Sequence, residues 1–86
     1  MSNKIPEEVR RAVYKRDNYK CRNCHTTKYL ELHHVIFRSQ GGKDIEENLV
    51  TLCNRCHRWA HKYRDQRLKW EKWIKQMYEG GFNNGN

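Results

Sequence analysis

Eighty-six residues make one small domain, with 36% apolar and 33% charged side chains and a net charge of +8. So short and polar a chain draws only about 3–5 kcal/mol from an apolar core and needs a further constraint. The excess of Lys and Arg points to a polyanionic partner, nucleic acid before others. No apolar run approaches the ~20 residues of a membrane span, and Met1-Ser2-Asn3-Lys4 opens without the apolar core of an export signal. Together these predict a soluble, cytoplasmic protein with no membrane partner.

In chain order, Pro6 to Arg16 reads as a short helix. Pro6 suits a first helical position, Glu7 and Glu8 complement the positive end of the dipole, and Lys15 and Arg16 the negative end. Val9 and Val13 make an i, i+4 apolar seam, leaving Arg10 and Arg11 outward as solvated charges or as contacts to a DNA backbone. Asp17-Asn18 turns into the first C-x-x-C knuckle, Cys21 and Cys24. Tyr29 to Phe37 reads as a strand, and Gly41-Gly42 breaks it into a loop that runs through Asp44 to Asn48. Leu49 to Leu52, with β-branched Val50 and Thr51, is the returning strand of a ribbon. Asn54 is a good N-cap for a helix that starts inside the second knuckle, Cys53 and Cys56. Arg55 to Glu79 holds no Pro or Gly and is expected to be helical, with a break near Asp65. Trp70, Trp73, Ile74 and Met77 form an amphipathic stripe on it, extended by Trp59 and Tyr63, which reads as core or as a docking surface. Residues 1–79 are expected to be one domain and 80–86, without period, a flexible tail.

The four cysteines admit three readings. Two disulfides rarely persist in a reducing compartment. Both knuckles end in histidine, at His25 and His57, which matches the C-x-x-C-H pattern of c-type haem attachment, but that chemistry needs export and far more apolar wrapping. Two knuckles presenting four thiolates to one structural Zn2+ suit the spacing best, and zinc would offset the thin core by about 10–16 kcal/mol.

The histidines form two pairs. His57 and His61 stand four apart on a helix, where both imidazoles can grip one metal. His33 and His34 are adjacent on a strand, and adjacent strand residues point to opposite faces. Either the strand twists or bulges there, or one of the two is only structural.

Cys21-x-x-Cys24, Leu30-Glu31-Leu32-His33-His34-Val35, Gly41-Gly42, Asp44, Asn48-Leu49-Val50-Thr51-Leu52-Cys53, Cys56-His57 and His61 closely resemble the HNH endonuclease family, with Arg16-Asp17 ahead of the first knuckle. The resemblance covers roughly Val9 to His61, and the three name letters fall on His34, Asn48 and His57. The four-cysteine version is similar to small phage and bacterial members, some of which work beside a terminase. The resemblance implies an α+β fold of the ββα-metal, treble-clef-like kind, with flanking helices and a zinc knuckle pair. It also implies that both residues of the His33-His34 pair face the site.

By the same resemblance His33, His57 and His61 would hold one catalytic divalent ion. His34 matches the general base, and Asn48 a residue that orients the base or binds metal. An imidazole with a pKa of about 6.5 can take a proton from water, and a divalent ion serves as Lewis acid. Imidazole ligands suit Zn2+, Ni2+, Co2+ or Mn2+, and family members also accept Mg2+. Arg38 lies just past the pair, as a phosphate contact or a ribbon-end charge. Lys62, Arg64 and Arg67, with Arg10 and Arg11, would neutralise DNA backbone without reading sequence. The expectation is a metal-dependent nuclease nicking double-stranded DNA, as monomer or homodimer, with a terminase or another phage protein as candidate partner. Two rivals stand beside it. One is a zinc-dependent DNA-binding module without catalysis. The other is an interaction subunit whose Trp-rich helix docks on a larger machine.

Overall fold

The computed structural model describes residues 4–80. Its elements are α1 (Glu7–Arg16), β1 (Leu30–His34), β2 (Leu49–Cys53), α2 (Asn54–Lys62) and α3 (Arg64–Lys75), with short 3-10 turns at Arg38–Gln40 and Glu46–Asn48. The last turn, Gln76–Gly80, widens to π geometry. Among the described residues no helix is long and apolar enough to cross a membrane. The expected flexible tail falls almost wholly on residues outside those described.

β1 and β2 pair antiparallel, with Leu30 opposite Cys53 and His34 opposite Leu49. Both faces of this ribbon are covered, which explains why Leu49–Cys53 is apolar almost throughout and buried along its whole length. On one face Leu32 and Leu49 pack with Val13 of α1. On the other, Val50 and Leu52 join Cys56 and Ala60 of α2 and Trp70 and Ile74 of α3. The result is an α+β ribbon-and-helix domain of the ββα-metal type.

Several expected boundaries move, each for a local reason. The helix starts at Glu7, because Pro6 keeps an extended ψ of 142° and stands at the cap. The strand covers five residues instead of running from Tyr29 to Phe37. Tyr29 has a φ of 57°, which stops it at one end. At the other, the Asn48 side chain takes the Ile36 N–H at 2.8 Å and donates to the Ile36 carbonyl at 3.1 Å, so the ladder cannot continue. Asn54 is the first helical residue and Cys53 the cap, with no side-chain cap bond. The long helix breaks at Tyr63 (φ −110°, ψ 126°), two residues before Asp65. Nothing in the local sequence marks that break; it lets α3 fold back and bury Trp70 and Ile74. Trp59 and Tyr63 do not extend the buried stripe, being 44% and 46% exposed.

One buried polar knot ties these layers together. Arg16 points inward, not toward the helix end as its place in α1 suggested. Its guanidinium forks onto Asp17 at 2.9 Å twice, reaches the carbonyls of Glu46 and Leu49 at 2.9 and 2.6 Å, and meets the Tyr78 hydroxyl at 3.1 Å. Asp17 also accepts the Thr51 N–H at 3.0 Å. The Trp73 ring stacks 5.1 Å from the guanidinium. This knot fastens α1, the start of β2 and the C-terminal turn to one another.

Candidate active site

Cys21, Cys24, Cys53 and Cys56 bring their four Sγ atoms within 4.8 Å of one another. The thiols are free, and Cys24 and Cys53 sit 3.7 Å apart, too far for a disulfide. One shared focus also removes the haem reading, which needs each knuckle to act alone. The first knuckle is shaped by the N–H groups of Asn23 and Cys24, both 3.4 Å from the Cys21 Sγ. Burial pushes the Cys21 thiol up, but N–H groups of Cys24, Cys53 and Asn23 outweigh it and bring it to about 7. Burial drives Cys56 up to about 12. Crowded thiols cannot all ionise without a counter-charge, and a dication supplies one. Four sulfur donors at one focus fit a structural ion of the zinc type.

A second focus lies between the ribbon and α2. Strand alternation turns Glu31 and His33 toward α2 while Leu32 packs against α1. Helical spacing puts His57 and His61 on one face, and a ring nitrogen from each of His33, His57 and His61 falls within 4.8 Å of the others. His33 is fully buried, and neither of its ring nitrogens has a hydrogen-bond partner. Burial first, then the neighbouring His57 and His61, lowers its pKa to about 3. Burial and His57 lower that of His61 as well. A buried, neutral imidazole with both nitrogens orphaned is costly as it stands. It fits a metal ligand, and three imidazoles form a donor set for a borderline divalent ion.

Two carboxylates that carried no assigned role in the sequence hold these rings. Glu31 Oε1 lies 2.6 Å from His57 Nδ1, which leaves Nε2 to face the focus, the usual carboxylate–imidazole–metal relay. Asp44 Oδ1 lies 2.6 Å from His34 Nε2. Arg38 bridges the same carboxylate, with Nε 3.2 Å from Oδ1 and Nη2 3.1 Å from Oδ2. Arg38 first, then His34, holds the Asp44 carboxyl below its ordinary range. Their signals were present, two residues before His33 and two after Gly42, but a lone acid in sequence names no partner.

The other expected site residues divide. His34, expected as the base and not as a ligand, stands outside the three-imidazole cluster with its ring on Asp44. His34 is nevertheless near, since its charge bears on both His33 and His61. The Asn48 amide is spent on backbone, at Ile36 and at the Lys43 carbonyl 3.0 Å away. It touches no imidazole by hydrogen bond and shapes the loop that carries Asp44. Arg10 and Arg11 lie on α1, which covers the opposite ribbon face, and pair with Glu7 at 3.9 and 3.6 Å. Lys62 lies over the Tyr63 ring, Arg64 is exposed, and Arg67 lies beside the imidazoles, 5.4 Å from the Phe37 ring centre. Phe37 itself stacks on His61 at 4.7 Å with the rings 9° from parallel, a contact the strand reading gave no hint of.

Two known proteins are similar to this chain in sequence. The Type IV methyl-directed restriction enzyme EcoKMcrA of Escherichia coli (strain K12) is 58% identical over 33 residues, 38% of this chain and 12% of that enzyme. Anaredoxin of Nostoc sp. is 36% identical over 66 residues, 72% of this chain and 87% of that protein. The chain thus spans only a small part of the restriction enzyme's length. Residues 21–63 match the family described as HNH endonuclease, a stretch that contains every member of the four-thiol and three-imidazole clusters. What the sequence offered as a resemblance is thereby an assignment to a family of nucleases: this chain belongs to the HNH endonuclease family.

Proposed function

We propose that the protein is a metal-dependent endonuclease that nicks double-stranded DNA with little sequence preference. The observation that carries this reading is the convergence of His33, His57 and His61 around a point where His33 has no protein partner for either nitrogen. A divalent ion held there supplies Lewis-acid stabilisation of charge on the phosphate and on the departing 3′-oxygen. His34 is the general base. Asp44 accepts the His34 Nε2 proton in a hydrogen bond, which fixes the tautomer and leaves Nδ1 free to take a proton from water. Arg38 keeps that carboxylate ionised and aimed. Asn48 acts at one remove by clamping the loop between Ile36 and Lys43, so that Asp44 meets His34.

The net charge of +8 supports DNA as the substrate, with basic side chains neutralising phosphates and affinity falling steeply with salt. Concerted cutting of both strands would need a second active site, from a homodimer or a partner such as a terminase. A plasmid-relaxation assay with Mg2+, Mn2+, Co2+, Ni2+ and Zn2+ tests the reading. Nicking with at least one ion, abolished in His34→Ala while the fold survives, is expected. Intact supercoiled plasmid with every ion would reduce the protein to a DNA-binding module, and full activity in His34→Ala would remove that residue from the base role.

A further inference from the structure

The family match stops at residue 63, and α3 begins at Arg64. Yet α3 does not lie apart from the imidazole centre. The extended residue Tyr63 turns the chain so that the Arg67 N–H bonds the Tyr63 carbonyl at 3.1 Å, one turn into the helix. From there the Arg67 side chain runs back over the site. Its Nη1 approaches the His61 carbonyl at 3.4 Å, and its guanidinium carbon stands 5.4 Å from the Phe37 ring centre. Phe37 in turn stacks on the His61 ring and meets His33 edge-on at 6.1 Å. The cation is therefore fixed against the rim of the three-imidazole cluster, with a ring as spacer.

Its electrostatic setting is anomalous. Among the described residues Arg67 has no carboxylate partner, and its positive charge bears on both His33 and His61. Other basic groups of α3 lie elsewhere: Lys69 reaches the Asn23 side chain at 2.6 Å, and Lys72 and Lys75 line a groove with Val35, Glu47 and Glu71. A guanidinium beside a site built for a dication is repelled by it unless an anion lies between the two. Its forked donors match phosphate oxygens, and most of them are unspent.

We propose that Arg67, contributed by the helix beyond the matched stretch, binds the phosphate under attack from the rim of the imidazole cluster. The inference rests on the endonuclease reading and deepens it: the catalytic centre is completed by α3, not closed within the ribbon and α2. Phe37 then has a positioning role, holding the guanidinium at the rim and keeping it off the ligand nitrogens.

The test compares the full chain with Arg67→Ala and Arg67→Lys, each with Zn2+ at the cysteines and Co2+ or Mn2+ at the imidazoles. Single-turnover nicking by Arg67→Ala should fall by about 10²–10³, the cost of removing one preorganised donor, while plasmid affinity changes little. Arg67→Lys, with charge but no fork, should recover only part of the rate. Inorganic phosphate should bind the metal-loaded alanine variant more weakly, by 31P relaxation. Co2+ itself should bind that variant as well or better, by roughly threefold, since a like charge has gone. Wild-type rate and phosphate affinity in Arg67→Ala would overturn the proposal, as would loss of Co2+ in both variants, which would mark a structural role. If the wild-type chain nicks with no ion, the endonuclease reading fails, and the phosphate titration still decides whether Arg67 and the metal share an anion.

Discussion

Replacing Glu31 probes how the imidazole centre is held. Its carboxylate lies 2.6 Å from His57 Nδ1, and the two side chains are 48% and 22% exposed. Removing such an outer partner typically costs 10–100-fold in metal affinity, or about 1.4–2.7 kcal/mol. Exposure of the carboxylate screens its charge and favours the lower end, so Glu31→Ala should weaken Co2+ binding about tenfold. Glu31→Gln keeps an oxygen acceptor and should lose less. The assay is calorimetric titration of Co2+ into chain already carrying Zn2+ at the cysteines. Without Co2+, an exposed pair of this kind contributes under ~1 kcal/mol, so the variant's own melt should barely move. With Co2+ well above Kd, the ion's stabilisation should be smaller by about 1.4 kcal/mol, the free-energy equivalent of that tenfold loss. Equal Co2+ affinity in Glu31→Ala and wild type would refute the idea that this carboxylate aims His57 at an ion.

Three further outcomes follow from other parts of the molecule. Asp17→Ala strands a buried guanidinium and should cost about 3–5 kcal/mol in urea unfolding; a loss below ~1 kcal/mol would mean that the Arg16 knot is not structural. A Cβ at Gly42 would fall 1.7 Å from the Ile36 carbonyl oxygen, so Gly42→Ala must displace the loop carrying Asp44. That variant should lose about 1–3 kcal/mol and most of its nicking rate, and retention of both would contradict the described loop packing. With the imidazole centre metal-free, His33 should show no protonation inflection between pH 8 and 5 in ring 15N spectra, since it titrates only at about 3. An unfolded histidine takes its proton near 6.5 (about that of a free imidazole), so between those values the unfolded chain binds the extra proton. This contribution to stability is present above about pH 6.5 and lost as pH falls, by at most about 1.4 kcal/mol per unit; an inflection near 6.5 would show His33 to be solvated.

Much of the fold was legible because its determinants are local. The duplicated knuckle fixed a four-thiol focus, the spacing of His57 and His61 fixed a shared helix face, and the apolar run at Leu49 anticipated the returning strand, though not its cover on both faces. The misreadings came where tertiary contacts override local preference. Val35 to Phe37 look like strand, but the side-chain amide of Asn48, twelve residues on, takes both backbone groups of Ile36, and the Phe37 carbonyl accepts from Gln40 and Gly42. The break at Tyr63 carries no Pro or Gly, and its cause is the burial of Trp70 and Ile74. Arg16 reads as a helix-end cation and instead enters the interior, because Asp17, Leu49 and Tyr78 receive it there. Within the site His57 and His61 were paired by spacing and His33 was added by the family resemblance, whereas Glu31, Asp44 and Phe37 act through neighbours distant in sequence. Only the folded chain names those partners.

The account turns on whether an ion at the three imidazoles drives strand cleavage. The direct measurement follows plasmid nicking as divalent ion is added stepwise to metal-free chain, with sites resolved by ion content, in wild type and in His33→Ala. The account predicts no nicking while only the cysteine focus is filled and onset with the second equivalent. In His33→Ala nicking should be absent, although one ion per chain is retained at the cysteines. Nicking at one equivalent, or in His33→Ala at the wild-type rate, would contradict it.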